Sequence, residues 1–231
     1  MSVLDSISRF YASSIGKKIV VAVTGILLVF FLVGHLTGNL LVYVGADAVN
    51  AYAKFLHEML HGWGVWIARI GLLVAFGVHI FTTVGLVRQN REARKSRYQY
   101  DATVQASSSS RIMIWSGLTI LAFVIYHLLH FTVRAFNDFG SEAYIDAEGR
   151  HDVYKMIIDG FSFWPASLFY VISMALLFSH LGHGVASTFQ TLGFATDKNW
   201  KFVKTSCNAL SLALFLGFTS IPVAVLFKVI T

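Results

Sequence analysis

The sequence predicts an all-α integral membrane protein: a bundle of five transmembrane helices forming a single domain over 1–231, with one amphipathic helix lying in the interface after the first span. Three observations predict this. The chain is 56% hydrophobic and only 13% charged, with two prolines, a composition that excludes a soluble domain. Five apolar runs reach the ~20 residues that cross a hydrocarbon layer of ~30 Å. Lysine and arginine concentrate in alternate loops, as the positive-inside rule describes. The net charge of +6 therefore belongs to membrane-flanking loops, and nucleic acid is not implied.

Residues 1–18 form a polar, mildly amphipathic lead that ends on Lys17 and Lys18. Helix I covers about 19–43; its apolar run is too long for the hydrophobic core of a signal peptide, and no small-residue cleavage site follows. In the next stretch, GADAVNAYAKFLHEMLHGWG, Val49, Tyr52, Phe55, Leu56 and Met59 recur at helical spacing opposite Asp47, Lys54 and Glu58, which predicts the interfacial helix. Helix II covers about 65–87. A basic, serine-rich segment that cannot enter lipid separates it from helix III at about 112–134. A mixed-charge loop over 135–162 leads to helix IV at about 163–188, and a short basic loop leads to helix V at about 206–229. Trp63, Trp66, Trp164 and Trp200 fall near span ends, as interfacial aromatics do.

Orientation follows from the cations. Arg9, Lys17 and Lys18 in the lead, six residues from Arg88 to Arg111 between helices II and III, and Lys198, Lys201 and Lys204 before helix V make twelve of the 18, all on one side of an alternating five-span chain. That side is expected to be cytoplasmic, N-terminus included, and the membrane a bacterial inner membrane. The single cysteine, Cys207, excludes disulfides, cysteine-rich metal sites and covalent CxxCH haem attachment. Pro222 reads as a tolerated kink in helix V.

Six of the nine histidines lie inside the spans: His35, His79, His127, His130, His180 and His183. Ionisable groups at membrane depth are rare and by default functional, and neutral imidazole is a metal ligand. At 1.5 Å per residue, His35 and His127 both lie roughly 23 Å from the inner face, and His79 and His180 both roughly 12 Å from it. Two histidines facing each other at one depth can supply both axial ligands of a six-coordinate haem, so two level pairs predict two stacked b haems. The faces agree with the depths. Ser116, Thr119, Phe123 and His127 share one stripe of helix III, and Ser173, His180, Gly184 and Ser187 one stripe of helix IV. The other reading makes these histidines inter-helix hydrogen-bonding groups or members of a proton path. His130 and His183, each one turn from a pair member, read as propionate partners or interfacial residues, with ligation as the alternative. Arg69, just inside the outer end of helix II, either snorkels to the interface or pairs with a haem propionate. Arg88 reads as a positive flank.

These residues carry a resemblance. SSIGKKIVVAVTG, FFLVGHLTGNL, GADAVNAYAKFLHE, WIARIGLLVAFGVHI, SGLTILAFVIYHLLHF and SHLGHGVASTFQTLG, in that order over nearly the whole chain, resemble the single-chain dihaem cytochrome b subunit of succinate:quinone oxidoreductases. The resemblance implies that the chain anchors a flavoprotein and an iron-sulfur subunit on the cytoplasmic side. It further implies that His35 and His127 hold the outer haem, His79 and His180 the inner one, and that electrons pass between the iron-sulfur subunit and a membrane quinone, by family habit menaquinone. The spacing of His180 to Gly184 matches the family's helix IV ligand, while HLLH leaves His130 beside His127 as an alternative. Nothing on this chain resembles a flavin, dicarboxylate or iron-sulfur site. For the quinone pocket the outer candidates are Lys54, Glu58 and His61, with Glu58 as the proton carrier, and the inner ones Ser13, Ser14 and Lys17. Competing readings are the dihaem cytochrome b of a membrane formate dehydrogenase or hydrogenase and, from another class, a haem-free transporter or structural anchor. Against a transporter, the chain shows neither an internal repeat nor paired glycine-proline interruptions.

Overall fold

The computed structural model describes residues 2–93 and 112–231. The chain enters through a short helix, α1 (Val3–Ala12), and turns at Ser13 into α2 (Ser14–Asn39), which a 3₁₀ turn extends to Tyr43. Then follow α3 (Ala46–Glu58), α4 (Trp63–Glu92), α5 (Met113–His127) continued by a π-helical turn over Leu128–Val133, α6 (Val153–Ser162), α7 (Trp164–Thr191) and α8 (Trp200–Leu226). Helices α2, α4, α5, α7 and α8 correspond to the predicted spans I to V, and five stretches are long and apolar enough to cross a membrane. The protein is thus an all-helical, multi-pass membrane protein; among the described residues the only β pairing is one bridge between Ile145 and His151. The basic segment 94–111, with Arg94, Lys95, Arg97 and Arg111 of the charge count, lies outside the described residues.

Several boundaries differ from the sequence expectation: helix I starts at Ser14 rather than 19 and helix II runs on to Glu92 rather than 87. The lead contains a true helix, α1, closed by a capping box in which Ser2 and Asp5 exchange hydrogen bonds (3.0 and 3.1 Å). The segment 135–162, expected as a loop, contains α6. Asp152 caps it by accepting from the Lys155 N–H at 3.0 Å, and Met156, Ile157, Gly160 and Phe161 are buried at helical spacing. Helix V begins six residues early, at Trp200, so that Lys201 and Lys204 stand on its first turns.

Helix α7 is the centre of the packing: it lies against α2, α5, α6 and α8, while α4 packs on α2 and makes no substantial contact with α5. Leu36, Leu181 and Leu214 join α2, α7 and α8 in mid-bundle. A second core at one end gathers Val42, Val49, Ile157, Phe161, Tyr170, Ile221 and Val225. The approach of α3 to α2 depends on Gly38, where an added Cβ would stand 2.5 Å from the Tyr52 ring. At the opposite end α1 and α2 are pinned to α4, by Tyr11 with Thr82 at 3.2 Å and by the Lys17 ammonium donating to Gln89 Oε1 at 3.1 Å.

The end bearing α3 is tied by Asn50, which is 2% exposed. Its amide nitrogen donates to Asp146 (3.2 Å) and Asp152 (3.1 Å), and its oxygen accepts from the Tyr154 N–H (3.0 Å). Arg150 adds ion pairs to Asp146 (2.7 Å), Asp47 (2.9 Å) and Glu148 (3.0 Å). Burial acts to raise the Asp146 carboxyl, but hydrogen bonds from Arg150 and Asn50 outweigh it and hold the group below the ordinary carboxylate range. Asn50→Ala strands a buried N–H and two carboxylate contacts, and is expected to cost about 2 kcal/mol, lowering Tm by roughly 4–8 °C. Asn50→Asp, similar in size but placing a third carboxylate beside Asp146 and Asp152, is expected to melt lower still at neutral pH. Thermal denaturation of the detergent-solubilised protein checks both.

Candidate functional site

The in-span histidines fall into two sets. His35 on α2 and His127 on α5 face each other with ring centroids 5.8 Å apart and planes at 81°. Each is framed by aromatic rings: Phe31 stacks on His35 at 5.2 Å and Phe123 on His127 at 5.8 Å, and Phe218 of α8 lies 5.9 Å from His35. Two imidazoles sharing one metal through Nε2, at bonds of zinc-like length (about 2.0–2.1 Å), would set their centroids roughly 6 Å apart. The spacing of His35 and His127 fits that arrangement.

His79 on α4 and His180 on α7 make no ring contact with each other. What they share is the way each is held. His79 Nδ1 lies 3.1 Å from Thr24 Oγ1 of α2, and His180 Nδ1 lies 3.1 Å from Ser116 Oγ of α5. Each hydroxyl also reaches a carbonyl of its own helix: Thr24 lies 2.7 Å from the Val20 oxygen and 3.1 Å from that of Val21, and Ser116 3.0 Å from the Met113 oxygen. A hydroxyl that gives its one proton to the carbonyl accepts from the imidazole. In that arrangement Nδ1 carries the ring proton and Nε2 keeps a lone pair that can ligate. Thr24 and Ser116 are buried, and each ring lies against a glycine of a neighbouring helix: His79 over Gly25 and His180 over Gly117. The donor chemistry of this set fits two neutral imidazole ligands.

His35 is held less firmly, because the Asn39 amide nitrogen reaches its Nδ1 only at 3.4 Å while donating to the His35 carbonyl at 2.7 Å. His127 Nδ1 lies 3.2 Å from the Tyr170 hydroxyl, which also reaches His130 Nδ1 at 3.3 Å. Among the described residues no hydrogen bond holds His183. His57 bonds back to the Ala53 carbonyl at 2.9 Å on an exposed turn, and exposed His61 has a left-handed backbone (φ 54°). His151 donates from Nδ1 to the Tyr144 carbonyl at 3.1 Å; burial and then the charge of Arg134 keep it below the ordinary histidine range.

The remaining sequence candidates stand apart from these rings. Arg69 is half-buried, with its guanidinium 5.2 Å from the ring centre of Trp66. Glu58 is exposed and pairs with Lys54 at 3.7 Å. Ser13 caps α2 through the Gly16 N–H at 2.9 Å, and Lys17 is taken by Gln89, so both have structural work. The hydroxyls of Thr24 and Tyr170 are the functional groups that sequence reasoning missed. Thr24 left one signal, a polar residue inside an apolar run; Tyr170 left none, since aromatic residues are ordinary filler in a span.

Comparison with models of known families, with curated proteins and with solved structures gives no match. Thr24→Val and Ser116→Ala remove the acceptor at Nδ1 with little change of volume. Each is expected to weaken a metal or haem held through Nε2 by roughly 10–100-fold, read as haem retained per chain on dilution in detergent, while Thr24→Ser retains it. Equal retention in all three variants would show that these hydroxyls do not set the tautomers.

Proposed function

We propose that the chain is the membrane-anchor cytochrome b of a succinate:quinone oxidoreductase, carrying electrons between an iron-sulfur subunit and a membrane quinone, with menaquinone the first candidate. The observation that carries the reading is the facing pair His35 and His127, 5.8 Å apart between two membrane-spanning helices. His35 and His127 would hold one b haem, and His79 and His180, with Thr24 and Ser116 beside their Nδ1 atoms, a second. Bound haem supplies one-electron redox chemistry within hydrocarbon, where the side chains have none to offer. The chain's own work is to present neutral Nε2 atoms, to exclude water with Phe31, Phe123 and Phe218, and to offer cations such as Arg69 to acidic groups. By the charge count the flavoprotein and iron-sulfur partners dock on the face bearing Lys17 and Lys18, that is, on the cytoplasmic side of a bacterial inner membrane.

The test is a reduced-minus-oxidised and pyridine haemochrome spectrum of the purified protein, with haem quantified per chain. Two b haems per chain are expected, reducible by succinate when the partner subunits copurify. His180→Ala and His35→Ala are each expected to retain one haem, from opposite sets, and His35→Ala to leave succinate oxidation with artificial acceptors largely intact. A wild-type chain without haem would return the histidines to hydrogen bonding or proton transfer.

A further inference from the structure

Tyr170 projects from α7 into the π-helical end of α5. It is 6% exposed and is surrounded by the rings of Phe123, His127, His130, Phe131 and Phe161 at centroid distances of 4.9–6.0 Å. Its hydroxyl stands between two histidines of one helix, 3.2 Å from His127 Nδ1 and 3.3 Å from His130 Nδ1. The π-helical turn begins directly after His127 and contains His130, and such turns frequently mark functional sites.

A phenol has one proton to give and a lone pair to offer, and a neutral imidazole has one N–H and one bare nitrogen. If both rings carried Nδ1–H, the phenol proton would find no acceptor among the three. If both Nδ1 atoms were bare, one would face the phenol oxygen lone pair to lone pair. All three groups are satisfied only when Tyr170 accepts from one histidine and donates to the other, which puts the two rings in opposite tautomers. His127 is the ring that faces His35. Resting on the haem reading above, we propose that Tyr170 is a positioning residue: it accepts from His127 Nδ1–H, so that the His127 Nε2 lone pair is presented to the iron, and donates to His130 Nδ1, so that His130 carries Nε2–H and is denied ligation. The assignment separates the two histidines of HLLH by chemistry. It also leaves the His130 Nε2–H as a donor to an oxygen acceptor at this end of the bundle.

The test is ¹⁵N spectroscopy of the full-length protein labelled at histidine, in bilayers and with any haem reduced, the signals being assigned with His127→Gln and His130→Gln. Wild type is expected to show Nδ1–H on His127 and Nε2–H on His130. Tyr170→Phe keeps the ring packing, and is expected to mix the His130 tautomers and to lower retention of the His35 and His127 haem roughly 10-fold. Equal tautomers on the two rings in wild type, or an unchanged His130 signal in Tyr170→Phe, would overturn the proposal. A second arm does not depend on how Tyr170→Phe folds: His130→Gln is expected to keep both haems and His127→Gln to lose one, and the reverse result would overturn the assignment. A chain that binds no haem would defeat the functional reading and with it the ligand role of His127, while the ¹⁵N spectra would still show whether Tyr170 sets opposite tautomers.

Discussion

An imidazole held at membrane depth brings one N–H and one lone pair into a medium with no water to satisfy either, and each polar group left unpaired there costs several kcal/mol. The bundle answers this constraint at His79 and His180 in the same way, with a hydroxyl 3.1 Å from Nδ1 that also lies within hydrogen-bond reach of its own helix backbone one turn earlier. Where the hydroxyl gives its proton to that carbonyl, the ring proton sits on Nδ1 and Nε2 is bare. A serine or threonine that back-bonds within a helix is usually a minor strain on it; here the same hydroxyl also stands beside a histidine of a neighbouring helix.

How much of this was legible in the sequence depended on the range of the interaction. The five spans followed from apolar length, and the matched depths of His35 and His127 from counting residues to the flanking charges, because helix rise is constant. Helix α6 was hidden by its own charges: Lys155 and Asp159 made VYKMIIDGFS read as loop, although Val153, Met156, Ile157, Gly160 and Phe161 keep the helical period. The early start of α8 was missed for a related reason, since Lys201 and Lys204 can extend toward the interface from a helix already under way. Thr24 and Tyr170 could not be assigned from the sequence, because their partners lie 55 and 43 residues away. Whether two helices meet with those residues opposed depends on packing that periodicity does not encode.

The two histidine sets differ in character. His35 and His127 form a direct facing pair lined by phenylalanines, one of them from α8. His79 and His180 sit on α4 and α7 without ring contact, each braced by a hydroxyl from a different helix, α2 or α5. The first set is shaped mainly by aromatic packing and the second mainly by hydrogen bonding.

The central place of α7 also has a consequence for biogenesis. Helices α2 and α4 pack on each other, and both belong to the first half of the chain. Helix α5 finds its principal partner only in α7, and α7 is followed in the chain by α8, its most extensive neighbour. Until α7 is made, Ser116 and His127 lack the His180 and Tyr170 partners of the finished bundle, although Ser116 can bond to the Met113 carbonyl and His127 can meet His35 of α2. Helix α5 therefore gains its main helix–helix packing only once α7 is in place.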